Sequence, residues 1–168
     1  NDEQQRCYVK HDEKDGWRRW NGKIIRSMII LDGNKTSQEI KKQLAVEVKV
    51  HVANGGKRPH LAAILMGEDG ASITYVNAKI KDCKEVDFES SLVKLPENAS
   101  QEELLKKIEA LNTNPDVDGF IVQLPLPDHI DELKITEAID SKKDVDGFHP
   151  MNLGRMVLSL PGFLPATP

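Results

Sequence analysis

The sequence predicts an α/β fold, a three-layer α-β-α domain with a mostly parallel sheet at its centre, and three observations predict it. Short, largely apolar runs recur at Leu61–Met66, Ser91–Leu95 and Gly119–Leu124. They lack strict polar alternation, as strands covered on both faces do. The stretches between them are long enough, and periodic enough, to be the helical crossovers that parallel neighbours require.

Taken in order, residues 1–27 mix both charges, carry Trp17 and Trp20, and show no sustained period. They are expected to be a poorly ordered extension ahead of a domain over 28–168. Transit peptides are Arg-rich and acid-poor, so Asp2, Glu3, Asp12, Glu13 and Asp15 argue against one. Thr36 or Ser37 is expected to cap a helix reaching Ala53, with Ile40, Leu44, Val48 and His51 on one face and Gly55-Gly56 as its stop. Pro59 precedes the first apolar strand, and Gly67–Gly70 makes a turn. A helix is expected from Ser72 to Val86, then the strand Ser91–Leu95, ended by Pro96. Ser100 with Glu103 reads as a capping box; the helix behind it carries Leu104, Leu105, Ile108 and Leu111 and stops before Pro115. Pro125 and Pro127 end the third strand, and Asp131–Ile139 is the last expected helix.

Composition narrows the function. The 168 residues are 39% hydrophobic and 30% charged, with a net charge of -4. Nucleic-acid binders neutralise phosphates with Lys and Arg, so this balance speaks against one. It leaves room for an anionic substrate in a locally basic pocket. Cys7 and Cys83 are too few and too far apart for a disulfide framework, which suits a reducing compartment. No apolar run approaches the roughly 20 residues of a membrane span. The chain begins at Asn1, which reads as a processed start or a fragment edge.

Parallel sheets bind ligands beyond the carboxyl ends of their strands. That directs attention to Gly67–Tyr75, to Gln123–Pro127 and to the loop after the last helix. Asp-Val-Asp-Gly-Phe occurs twice, at Asp116–Phe120 and Asp144–Phe148. Neither copy is a calcium loop, because such a loop needs an oxygen ligand at its fifth position and Gly at its sixth. The first copy reads as a turn into a strand; the second lies where a ligand is expected. Tyr75 and Lys79 stand four apart and share a helix face. Short-chain dehydrogenases use that spacing with a glycine-rich dinucleotide turn, but no Gly-x-Gly-x-x-Gly occurs here. Gln123, at a buried strand end, can position or polarise an ammonium. His149 and His51 read as ordinary histidines, since neither has a second metal ligand at helical spacing.

Together these stretches resemble the methylenetetrahydrofolate dehydrogenase/cyclohydrolase family. The likeness is carried by Leu31-Asp32-Gly33, Ala62–Gly67, Ser72–Lys79, Asp118–Pro127, Lys143–His149, Asn152–Arg155 and Pro165–Pro168, in the family's order and spacing. It implies the fold of that family's N-terminal catalytic domain, without the NAD(P)-binding domain expected after the Pro168 position. It also implies oxidation of 5,10-methylenetetrahydrofolate with NAD or NADP, held mainly by that absent domain, and hydrolysis of the methenyl product to 10-formyltetrahydrofolate. A non-catalytic folate-binding module is the alternative.

The resemblance makes Lys79 and Gln123 catalytic, and Tyr75, Lys79, Gln123 and Asp146 substrate-binding. Tyr75 would stack on the folate rings, Lys79 would assist proton transfer and water attack, Gln123 would tune Lys79, and Asp146 would accept from the pterin. An amine serves as a base only where burial or neighbouring positive charge favours its neutral form; the cationic methenyl bridge supplies such charge. Asp144 is given no more than a turn-forming role. The wording of Gly147-Phe148-His149 and Pro165–Pro168 is similar to the mitochondrial NAD-dependent branch. That likeness implies a mitochondrial matrix location, with the cytoplasm as alternative, and magnesium with phosphate. Tetrahydrofolate derivatives are the implied partners and a homodimer the implied assembly of the complete protein, with no nucleic acid or membrane. Two positions depart from the family's pattern: Asp87 stands where glycine is usual, and Gly70 where proline is common.

Overall fold

The strand His60–Met66 has a neighbouring strand on each side and organises the domain, all seven residues pairing with one neighbour and Leu61–Ile64 with the other. In the computed structural model, which describes residues 17–20, 23–26 and 32–165, the chain forms β1 (Trp17–Trp20), β2 (Lys23–Arg26), α1 (Gly33–Ala53), β3 (His60–Met66), α2 (Gly70–Glu85), β4 (Glu89–Leu95), α3 (Gln101–Thr113), β5 (Gly119–Val122), α4 (Glu132–Ala138) and α5 (Pro150–Val157). The main sheet has the order β4-β3-β5 and is parallel throughout, with Leu61 opposite both Ser90 and Gly119.

Side chains alternate across a strand, and each row finds its own cover. Ala62, Ile64 and Met66 join Phe120 and Val122 against Leu104 and Ile108 of α3 and Ile135 of α4. Ala63, Leu65 and Ile121 face the other way, onto Val76 of α2. The sheet is therefore sandwiched, α2 on one face and α3 with α4 on the other, as the apolar runs predict. Burying a side chain such as Phe120 (0% exposed) stabilises by about 1.5–3 kcal/mol.

Helix ends reflect local chemistry. The capping box of α3 is present in both directions: Glu103 N donates to Ser100 Oγ at 3.2 Å, and Ser100 N to Glu103 Oε2 at 2.8 Å. α4 is capped by Asp131, whose carboxylate accepts from Lys134 N. Other ends differ from the sequence expectation. α1 starts at Gly33 instead of behind Thr36, because the Asp32 carboxylate accepts the Lys35 amide at 3.0 Å. Thr36 Oγ1 points back to the Asp32 carbonyl. On the expected α1 face Val48 is buried, but Ile40 is 50% exposed and His51 is exposed, since cover falls away toward both ends of that row.

α2 begins two residues earlier than expected, at Gly70, with Asp69 accepting from Ser72 N at 2.7 Å. Val86 caps its other end, and Asp87 then takes φ 65°. That left-handed conformation is the one glycine adopts freely and Asp tolerates. β4 starts at Glu89, because Glu89 N donates to the Pro59 carbonyl at 2.8 Å beside the pairing of His60. α5 is absent from the sequence expectation, which ends its helices at Asp131–Ile139. Proline suits the first helical position, where its missing N–H costs nothing, and His149 Nδ1 accepts from Met151 N at 3.0 Å to cap the helix.

The extension expected over residues 1–27 lies mostly outside the described residues. Within it, the β1 and β2 backbones pair antiparallel, Trp17 with Arg26 and Trp20 with Lys23. Trp-Arg-Arg-Trp and Lys-Ile-Ile-Arg do not alternate, so no period marks this hairpin. Residues 38–168 form one compact unit.

Candidate functional site

The four side chains named from the sequence stand on three segments: α2, which follows β3, the residue after β5, and the loop between α4 and α5. Tyr75 and Lys79 lie on successive turns of α2, which leaves the end of β3 and packs on the sheet through Val76. Tyr75 is 64% exposed, a ring free to meet a flat ligand. Lys79 is half-buried.

Gln123 comes directly after β5, and its amide donates to the Ile64 carbonyl at 2.9 Å, prolonging the ladder with β3. Two positions beyond Ile121, it continues the row that faces α2. Gln123 Nε2 donates to the Leu124 carbonyl at 2.7 Å. Among the described residues its Oε1 is buried with no hydrogen-bond partner. A buried acceptor without a donor is costly, and an ammonium or a ligand N–H arriving on this face would relieve it.

Asp146 comes from the loop between α4 and α5. That loop lies along β5: Phe120 N donates to the Lys143 carbonyl at 2.9 Å, and Phe120 and Asp144 form a parallel bridge. Asp146 lines a small cavity with Phe120, Val122, Leu124 and Phe148. Burial pushes its carboxyl above the ordinary value; the Lys79 charge pulls it back, and the Asp144 carboxylate adds to the rise. Lys79 and Asp146 thus share one electrostatic environment.

Asp144 is more than a turn residue. It is 2% exposed and accepts from Gly147 N, His149 N and the Asn152 side chain. Asn152, also buried, carries no role in the sequence reading. The signal for Asp144 was available, since an Asp three residues before a Gly can form such a turn; its burial was not. The first Asp-Val-Asp-Gly-Phe is the expected turn into a strand, with Asp118 held by Lys57 at 2.8 Å.

The turn after β3 does not fit a dinucleotide phosphate. The turn after β3 is Gly67-Glu68-Asp69-Gly70, and the Asp69 carboxylate already takes the Ser72 amide at the start of α2. A negative charge there opposes the anion binding that helix N-termini otherwise favour. Among the described residues no cluster of three or more His, Cys, Asp or Glu stands ready for a metal, and no helix is long and apolar enough to cross a membrane.

Residues 31–146 match the family model described as tetrahydrofolate dehydrogenase/cyclohydrolase, catalytic domain. The chain is 60% identical over 141 residues to the bifunctional protein FolD of Cytophaga hutchinsonii, covering 84% of this chain and 49% of that protein. Against the FolD of Bacteroides thetaiotaomicron identity is 56%, with 84% and 48% covered. Among solved structures, the FolD methylenetetrahydrofolate dehydrogenase/cyclohydrolase of Campylobacter jejuni superposes with TM-score 0.81 at 46% identity, over 84% of this chain and 50% of that one. The Trypanosoma brucei enzyme, solved with NADP cofactor and inhibitor, gives 0.77 at 33%, over 82% and 47%. The chain spans about half the length of the curated relatives it matches. Those relatives are bacterial, which overturns the mitochondrial location expected from the wording of the loop. The expectation of magnesium with phosphate rested on the same branch and loses that footing.

Proposed function

The chain belongs to the tetrahydrofolate dehydrogenase/cyclohydrolase family through its catalytic domain, and from that premise we propose that it supplies the folate site and the working lysine of a bifunctional one-carbon enzyme. The complete protein would oxidise 5,10-methylenetetrahydrofolate and hydrolyse the methenyl product to 10-formyltetrahydrofolate, in the cytoplasm. What supports this reading is that Gln123, whose side-chain oxygen is buried with no partner among the described residues, continues the β5 row that faces α2, the helix bearing Lys79.

In this reading Tyr75 offers its exposed ring to the flat ligand. Asp146 accepts from the adjacent donors of the pterin edge, for which one carboxylate suffices. Water then adds to the cationic methenyl carbon and gives up a proton with Lys79 as acceptor. The bond from that carbon to N5 breaks, N5 takes a proton, and the carbon remains on N10 as a formyl group; one proton is released overall. Gln123 holds the lysine amine through its free oxygen. NAD or NADP would supply the hydride acceptor for the oxidation. The turn after β3 does not fit its phosphates, and these residues are given no part in holding it. A homodimer remains the expected assembly of the complete protein.

Replacing Lys79 with Ala in the complete protein is expected to lower cyclohydrolase turnover by about 10²–10⁴-fold, the usual worth of a positioned proton acceptor. Near-normal hydrolysis of methenyltetrahydrofolate, measured by absorbance, would sink the assignment. Tetrahydrofolate binding by calorimetry without any turnover would instead favour a non-catalytic binding module.

A further inference from the structure

We propose that Asp144 and Asn152 form a buried positioning pair that fixes the loop carrying Asp146 and thereby sets the affinity for the folate ring. The proposal deepens the folate reading and rests on it. Asp144 and Asn152 are 2% and 3% exposed. A carboxylate so placed is costly unless its lone pairs are used, and here they are. Oδ1 accepts from Gly147 N at 3.1 Å; Oδ2 accepts from His149 N at 2.8 Å and from Asn152 Nδ2 at 2.9 Å. Asn152 Nδ2 also donates to the Ser141 carbonyl at 2.9 Å. The Asp144 acceptor thus precedes Asp146 in the chain and its donors all follow it, two in the loop and one in the first turn of α5.

These bonds all lie within residues 141–152, so they shape the loop and add nothing to the pairing of β3, β4 and β5. The loop is confined from its other side as well. Gly147 has φ 73°, and a Cβ there would meet Leu164 C and Pro165 N at 2.9 Å and Phe163 O at 3.0 Å. Asp146 sits between these held backbone positions and lines a small cavity with Phe120 and Phe148. Asp144 and Asn152 need not touch the ligand. They act through Asp146, and a misplacement of about 1 Å in such a group can cost up to 10²-fold.

The test is a double-mutant cycle in the full-length protein, read as tetrahydrofolate affinity by calorimetry with thermal unfolding as the check on folding. Asn152→Ala is expected to raise Kd about tenfold, the worth of one hydrogen bond to a buried charge. In an Asp146→Ala background the same change is expected to alter Kd less than about twofold, because coupled residues are not additive. A merely structural Asn152 would multiply the two losses, and that result, or an unchanged Kd in Asn152→Ala, overturns the proposal. Should Asn152→Ala fail to fold, Asn152→Ser, which keeps a shorter donor, is carried through the same cycle, and the same two results overturn the proposal. If the unsubstituted protein does not bind tetrahydrofolate, the folate reading fails before any substitution is made, and this proposal with it.

Discussion

In Asp116–Phe120 the second aspartate lies at the surface, paired with Lys57 and accepting the His60 amide at 2.8 Å, while the phenylalanine is wholly buried. In Asp144–Phe148 the first aspartate is buried, the glycine has φ 73° and the phenylalanine is 44% exposed. One pentapeptide thus serves as the lead into a strand of the sheet and as part of a cavity-lining loop. The difference comes from the next two residues of each copy: Ile121-Val122 draws Phe120 into the sheet, whereas His149-Pro150 starts a helix. The copies also touch. Phe120 bridges Asp144, and the space at Gly119 is filled by a methyl of Val145.

The sharpest way to break the comparison is at the glycines. Gly147→Ala is expected to cost more than about 2 kcal/mol, because a positive φ and a backbone clash act together. Gly119→Ala should cost about 1–3 kcal/mol by overpacking against Val145. Adding Val145→Ala should return part of that second loss and none of the first. Urea midpoints measure all three, and an equal response at both glycines would erase the distinction.

The corresponding aspartates provide the next test. Burial pushes Asp118 up, but the Lys57 hydrogen bond and the His60 amide outweigh it and hold its carboxyl below the ordinary range. Asp146 is pushed above it, chiefly by burial. Side-chain carbon NMR should show the two titrating on opposite sides of the ordinary carboxylate value. By linkage, Asp118 contributes stability that is present above its unfolded value and lost as pH falls through its folded value. The contribution of Asp146 is present below its unfolded value and lost as pH rises through the folded one. Lys79→Met removes the charge that restrains Asp146 and should move it further up; a downward shift would contradict a shared environment.

The smallest effect is expected at the surface copy. Asp118→Ala should cost about 1 kcal/mol or less, as exposed ion pairs do, and leave tetrahydrofolate affinity unchanged. Asp146→Ala should weaken that affinity well beyond any surface substitution.

What was legible in the sequence had a local cause. The strands stand out as apolar runs, and Ser100 with Glu103 marks α3 because both halves of the box are close together in the chain. What was not legible depends on partners distant in sequence, or on residues with two uses. Glu89 joins β4 only because Pro59 offers a carbonyl. Asp69 reads equally as turn or cap, and Pro150 as breaker or first residue of a helix. For the candidate site, Tyr75, Lys79, Gln123 and Asp146 were named through a family resemblance, on a helix, at a strand end and in a loop. Asp144 escaped, since nothing in its neighbours reveals that it is buried and fully bonded.

The central place of β3 bears on how the domain assembles. β5 must close a loop roughly twice as long as the one β4 closes to reach the same strand, and each doubling adds about 0.6 kcal/mol of chain entropy. That difference predicts that β3 and β4 meet first, with α2 between them, and that β5 docks later with the second aspartate loop along it. The pocket is completed by the last arrival. Pulse-labelled amides should accordingly protect Val93 ahead of Phe120, and a chain caught before that step would have the lysine in place but no carboxylate opposite it.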